Sequence, residues 1–183
     1  ENQGLKTYNN FIVLTEAFKK KIERVNAHAK LFLIPNGVDE VKSSKQTQLE
    51  HILYLGRLEE DQKGLDLLVD AYKSIEAKTD QKLVIAGSGL EKDRKSIERR
   101  IQKYDLQEKI ELTGRVDGAK KDDLLKKCSL VVIPSRFETF GTVALEAMSY
   151  GKPIVSFAIE GLQWIPDDCS MKVTPFDLKK LGE

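Results

Sequence analysis

Cysteine is scarce in this chain: Cys128 and Cys169 are the only two in 183 residues, and no CxxC spacing occurs. That argues against a disulfide framework and a cysteine-bound zinc site, and reduced thiols are the plain expectation. Histidine is as sparse. His28 and His51 stand alone in or beside amphipathic segments, where structural roles are expected. No apolar run approaches the ~18 residues that a membrane-spanning helix needs, so no segment reads as crossing a bilayer. Net charge is missing too. Thirty Lys and Arg against twenty-nine Asp and Glu leave +1, which gives no electrostatic argument for nucleic acid as a main partner. Any anion site must be local. No signal peptide is visible, the first residue is Glu1, and LKKLGE closes the sequence where a helix is beginning. Both ends read as cuts in a longer chain, and the expected location is the cytoplasm.

What is present is a regular alternation. Short β-branched or aliphatic runs predict strands at 11–14, 31–34, 52–55, 82–86, 110–112, 130–133 and 154–157. Helical patterns lie between most of them. Residues 64–77 place Leu65, Leu68, Val69, Tyr72 and Ile75 on one face. Residues 94–104 do the same with Ile97, Ile101 and Tyr104, and 120–128 with Leu124, Leu125 and Cys128. Strand and helix in alternation imply parallel pairing, hence an α/β fold with a Rossmann-like doubly wound sheet. The length suits one domain, 1–183, with a core of roughly 11–173. The polar run 40–50 reads as an internal linker, and no repeat or low-complexity tract appears.

The most informative stretch is 131–153, VVIPSRFETFGTVALEAMSYGKP. An apolar strand stops at Pro134, an irregular loop carries Glu138, and Gly141 opens a short helix holding Glu146 and ending at Gly151. The loop therefore sits at a strand's carboxyl end, where open α/β sheets bind ligands, and a helix start offers unpaired N–H groups to an anion. Thr142, Glu146 and Ser149 recur at i, i+4 and i+7; the alternative to a binding face is a narrow solvent stripe. Arg57 follows the strand 52–55, and Lys63 stands directly before Gly64 and its helix. A guanidinium fork and a mobile ammonium together suit a diphosphate, although isolated loop cations are usually just solvated.

Two further patterns carry less. GSG at 87–89 follows a strand and precedes a helix, but Lys92 stands where a dinucleotide fingerprint needs its third glycine, and no acidic residue ends the strand 110–112. KKDD at 120–123 sits at a helix start, where acidic groups suit the dipole, so no metal site is expected there. The basic stretches 19–21 and 94–100 read as solvated helix faces.

The stretch E-TFGTVAL-E-AM, 138–148, resembles the donor-site signature of retaining GT-B glycosyltransferases of family four. IPNGVD at 34–39, YLGRLEEDQKGLDLL at 54–68, LVIAGSG at 83–89 and ELTGRV at 111–116 follow the family's order, so the resemblance covers roughly 11–160. It implies the carboxyl-terminal, donor-binding half of a GT-B enzyme, with the amino-terminal acceptor domain absent. The implied activity is hexosyl transfer, with retention, from a nucleotide-diphosphate sugar to an acceptor hydroxyl in glycan, glycolipid or polysaccharide synthesis. No metal or other cofactor is implied, because cations and a helix start stabilise the departing diphosphate, and the leaving phosphate takes the acceptor's proton.

By the same resemblance Arg57 and Lys63 hold the diphosphate, Glu138 contacts the transferred sugar, and Glu146 accepts hydrogen bonds from the ribose hydroxyls. Phe140, Gly141 and Thr142 complete the donor loop, and Arg115 and Val116 belong to a base-contacting turn, Arg115 being equally readable as a surface charge. Arg57, Lys63 and Glu138 are the expected catalytic group. Peripheral association with the inner membrane face is also in the family's range. The chain departs from the pattern at 160–173, EGLQWIPDDCSMKV, where Trp164 leaves the sugar-facing side unassigned. Alternatives are a nonhydrolysing nucleotide-sugar epimerase, which shares the fold but lacks the Glu-x7-Glu segment, and a non-catalytic nucleotide-binding domain.

Overall fold

A computed structural model describes residues 2–39 and 49–182, so most of the run 40–50 lies outside the described residues. After a short helix α1 (Asn2–Thr7), strand β1 (Asn10–Val13), helix α2 (Glu16–Val25) and strand β2 (Lys30–Leu33) form a unit whose two strands pair in parallel. Thr15 starts α2 by accepting the Phe18 N–H at 3.3 Å, with Glu16 in the first turn to meet the helix dipole.

The main body is a six-stranded sheet. Its strands are β3 (His51–Leu55), β4 (Lys82–Ala86), β5 (Ile110–Gly114), β6 (Cys128–Ile133), β7 (Ile154–Phe157) and β8 (Ser170–Val173), in the order β5-β4-β3-β6-β7-β8. Every neighbouring pair is parallel. The chain runs outward from β3 to β5, returns to lay β6 beside β3, then runs outward again. That makes β3 and β6 the point where strand order reverses, and their carboxyl ends open the crevice that such sheets use for ligands. The doubly wound Rossmann-like fold read from the sequence is the fold observed.

The helices cover both faces. α3 (Glu60–Lys63), α4 (Leu65–Ile75), α5 (Glu91–Lys103), α6 (Gly118–Lys127), α7 (Thr142–Ser149) and α8 (Leu178–Gly182), with a 3-10 turn at Glu160–Leu162, are the remaining elements of the described residues. Alternation along the strands feeds two cores. Tyr54, Leu83, Ile85 and Phe157 pack with Leu65, Leu68, Val69 and Tyr72 of α4 and Ile97 and Ile101 of α5. Leu53, Val84, Val131 and Ile154 pack with Leu125 of α6 and Ala144 and Ala147 of α7. Cys128 belongs to the second core, where burial pushes its thiol up to about 11. It behaves as a small apolar residue.

Several features differ from the sequence reading: the helices read from 94 and 120 begin earlier, at Glu91 and Gly118, and Cys128 opens β6 instead of closing a helix. The runs 11–14 and 31–34 do not join the main sheet; they make the separate β1-β2 pair, where Ile12 and Phe32 stay exposed. β8 was not expected, and the helical run from 64 begins one residue later, after the short α3. The GSG glycines serve backbone packing. A Cβ at Gly87 would lie 1.6 Å from the Gly56 carbonyl oxygen and one at Gly89 2.0 Å from that of Leu58, because the two loops continue pairing past the strand ends. Among the described residues no helix is long and apolar enough to cross a membrane.

Candidate functional site

At the carboxyl end of β3 the buried Tyr54 hydroxyl donates to the Arg57 carbonyl at 2.6 Å and pins the turn. Burial, with the nearby Glu138 charge behind it, pushes that hydroxyl far above its ordinary pKa, so it remains a donor. The Arg57 side chain is 65% exposed, paired with Glu59 at 3.0 Å. Its Nη2 also donates to Gln62 Oε1 at 2.8 Å, and Gln62 donates in turn to the Phe137 carbonyl at 3.3 Å. The guanidinium is thus braced by its neighbours and still open to solvent.

α3 delivers Lys63 to the crevice. Its Nζ meets Glu138 Oε1 at 2.6 Å, and the Ser135 hydroxyl donates to the same oxygen at 2.8 Å. The two charged side chains are only 17% and 9% exposed. Position 138 is therefore not an ordinary loop glutamate. A desolvated pair of this kind is costly to disrupt from one side, because the remaining charge stays buried.

The neighbouring Arg136 ties the two loops together. Its guanidinium makes paired bonds to Asp66 Oδ1 and Oδ2 at 2.8 and 2.7 Å and donates to the Glu60 carbonyl at 2.6 Å, while its N–H donates to the Gln62 carbonyl at 2.9 Å. Burial works to raise the Asp66 carboxyl, but the Arg136 bonds outweigh it and hold that group below its ordinary value.

Gly141 sits at φ +73° and opens α7. The left-handed conformation suits glycine. The N–H groups of Gly141, Thr142 and Val143 have no acceptor among the described residues, as the first turn of a helix dictates. Around these elements lies a cavity of about 230 Å³, lined by Arg57, Lys63, Ser135, Glu138, Phe140, Gly141 and Thr142, among others. Glu146, one helical turn on from Thr142, lines a second hollow of about 690 Å³ with Ser149, Lys121 and the segment 37–39. There Lys121 Nζ lies 3.2 Å from Glu146 Oε1.

The structure thus brings Arg57, Lys63, Glu138, Phe140, Gly141 and Thr142 to one cavity and Glu146 to the next. Arg115 and Val116 line neither: Arg115 is 80% exposed beside Asp117, and Val116 packs against the second core. Sequence reasoning missed Ser135, Gln62 and Lys121. Ser135 and Gln62 lay inside motifs without a pattern of their own, and Lys121 lay in KKDD, read only as a helix start. Among the described residues no three His, Cys, Asp or Glu side chains gather as metal ligands would. His51 is buried at the opposite edge, where burial lowers its pKa.

Comparison with known proteins follows the same outline. An uncharacterized glycosyltransferase of Methanocaldococcus jannaschii is 32% identical over 94% of this chain and 48% of its own length. The phosphatidyl-myo-inositol mannosyltransferase of Mycobacterium leprae is 33% identical over 74% of this chain and 37% of its own. Among solved structures, the sucrose-phosphate synthase of Thermosynechococcus elongatus superposes with a TM-score of 0.82 at 27% identity, covering 99% of this chain and 49% of that one. A variant of S. aureus TarM, solved with UDP, gives 0.83 at 25% identity over 99% of this chain and 37% of that one. The chain spans less than half the length of these relatives. The family model for glycosyl transferases group 1 matches residues 35–165, from the segment before β3 to the turn after β7. On that match, over well more than half of its residues, the chain belongs to the glycosyl transferases group 1 family.

Proposed function

We propose that this chain binds the nucleotide-diphosphate sugar of a retaining, hexosyl-type glycosyltransferase and that the sugar passes to an acceptor hydroxyl in glycan, glycolipid or polysaccharide synthesis. The observation that carries the reading is the convergence of Arg57, Lys63, Glu138 and the unpaired N–H groups of the first α7 turn on one small cavity at the switch point. That cavity suits the sugar and diphosphate, and the hollow at Glu146 suits the ribose, whose two hydroxyls a carboxylate accepts at once.

The chemistry asks for two kinds of help. The bond from the anomeric carbon to the diphosphate oxygen breaks, a bond to the acceptor oxygen forms, and the acceptor's proton goes to the departing phosphate. Arg57, Lys63 and the helix start stabilise the negative charge that collects on that phosphate. Glu138 faces the sugar, whose ring becomes cationic as the bond stretches. Charge neutralisation by these groups needs no divalent metal. The acceptor is taken to meet the remainder of a protein as long as the relatives, at the cytoplasmic side or peripherally at a membrane. The epimerase alternative is disfavoured by the intact 138–148 segment, and the non-catalytic one by the intact cation and glutamate set.

Calorimetry against uridine, guanosine and adenosine diphosphates tests this. One of them should bind, in EDTA as well as in magnesium. Arg57→Ala should weaken it roughly 10- to 150-fold, the weight of a charge-assisted contact of ~1.5 to 3 kcal/mol. Binding that EDTA abolishes and magnesium restores would sink the metal-free reading. Equal losses for diphosphate and bare nucleoside would make Arg57 structural.

A further inference from the structure

Trp164 lies in the turn where the family pattern breaks off, and it rests directly on the loop that carries Glu138. Its indole Nε1 donates to the Phe140 carbonyl at 2.7 Å. Its ring lies flat on the Phe140 ring, with centroids 4.4 Å and planes 8° apart. Phe140 is 3% exposed, while Trp164 is half-buried and lines, with Phe140, a wide cavity beside α2. The 3-10 turn Glu160–Leu162 presses on the same loop: a Cβ at Gly161 would come 1.8 Å from the Glu138 carbonyl oxygen, and one at Gly141 would come 2.5 Å from Leu162. The stretch 138–141 is therefore held at both ends by residues 161–164.

That hold has a direction. Every peptide bond described is trans, and a trans peptide sets its carbonyl and the following N–H on opposite sides. Fixing the Phe140 carbonyl on the indole turns the Gly141 N–H away from it, and this is the first of the unpaired donors at the α7 start. We propose that Trp164 is a positioning residue for the donor's phosphate end, acting through the Phe140–Gly141 peptide. The proposal rests on the donor-binding reading above.

The test compares the parent chain with Trp164→Phe, which keeps a flat ring but removes the N–H. Backbone order parameters of amides 138–142 should fall from the rigid value near ~0.85 toward ~0.6. Affinity for the bound nucleoside diphosphate should drop about tenfold, the equilibrium weight of one ordinary hydrogen bond, with the bare nucleoside unchanged. Trp164→His, which restores an N–H on a smaller ring, should recover part of both losses. Because the chain holds a single tryptophan, the parent's emission should also shift on diphosphate binding. Unchanged order parameters overturn the proposal, as does a loosened loop with undiminished diphosphate affinity or an equal loss for nucleoside and diphosphate. A parent that binds no nucleoside diphosphate defeats the donor reading instead, and the order parameters alone then decide whether Trp164 holds the loop.

Discussion

Glu138 and Glu146 carry the same group eight residues apart, and they live in different surroundings. Glu138 is 7% exposed and shares one oxygen between the Lys63 ammonium and the Ser135 hydroxyl. Glu146 has a side chain 25% exposed and, among the described residues, pairs with Lys121. The first carboxylate belongs to the scaffold as much as to the site, because removing it strands a buried cation. The second is free to exchange its partner for a ligand hydroxyl. One motif therefore contains a fixed end and an adjustable end.

The largest effect expected is on stability at the fixed end. Glu138→Ala should lower the unfolding free energy by about 3 kcal/mol, as one-sided loss of a buried pair does. Urea melts measure this, and parent-like melting would erase the contrast. Diphosphate affinity should hold or rise in the same variant, since the deletion releases the Lys63 ammonium.

At the adjustable end the balance reverses. Glu146→Ala should leave stability within ~0.5 kcal/mol while weakening nucleoside and nucleoside diphosphate alike, by ~1.5 to 3 kcal/mol for bonds to a charged acceptor. Calorimetry of both ligands checks it. A stability loss matching that of Glu138→Ala would show that the two ends do not differ.

The smallest effect sharpens the same point. Lys121→Ala removes a partly exposed pair and should change stability by less than ~1 kcal/mol, and the difference should vanish in 1 M salt. Persistence at high salt would mean that Lys121 and Glu146 are coupled as tightly as Lys63 and Glu138.

The parts legible in the sequence share a physical reason. Strands buried on both faces read as apolar runs, so 52–55, 82–86, 130–133 and 154–157 stood out. β8 did not, because an edge strand of Ser170, Met171, Lys172 and Val173 leaves Met171 59% exposed. The runs 11–14 and 31–34 were legible as strands, but a run does not name its partner, and theirs was each other. In the site, spacing and resemblance marked Glu138 and Lys63 separately. Their contact joins positions 75 residues apart, a fact that no local pattern encodes. The Trp164 clasp was illegible for the same reason.

Arg136 bears on any attempt to move this site elsewhere. The loop 134–141 looks like a self-contained cassette, and a protein engineer would be tempted to transplant it onto a related scaffold. Its anchor is not in the cassette, however. Both ends of the guanidinium fork close on Asp66 at the start of α4, and the loop's backbone leans on Gln62 of α3. A lysine in place of Arg136 lacks the planar fork and would leave one carboxylate oxygen unmet. The transplantable unit is thus three segments distant in sequence, 57–66, 134–141 and 161–164, and a graft of the loop alone should arrive without its grip.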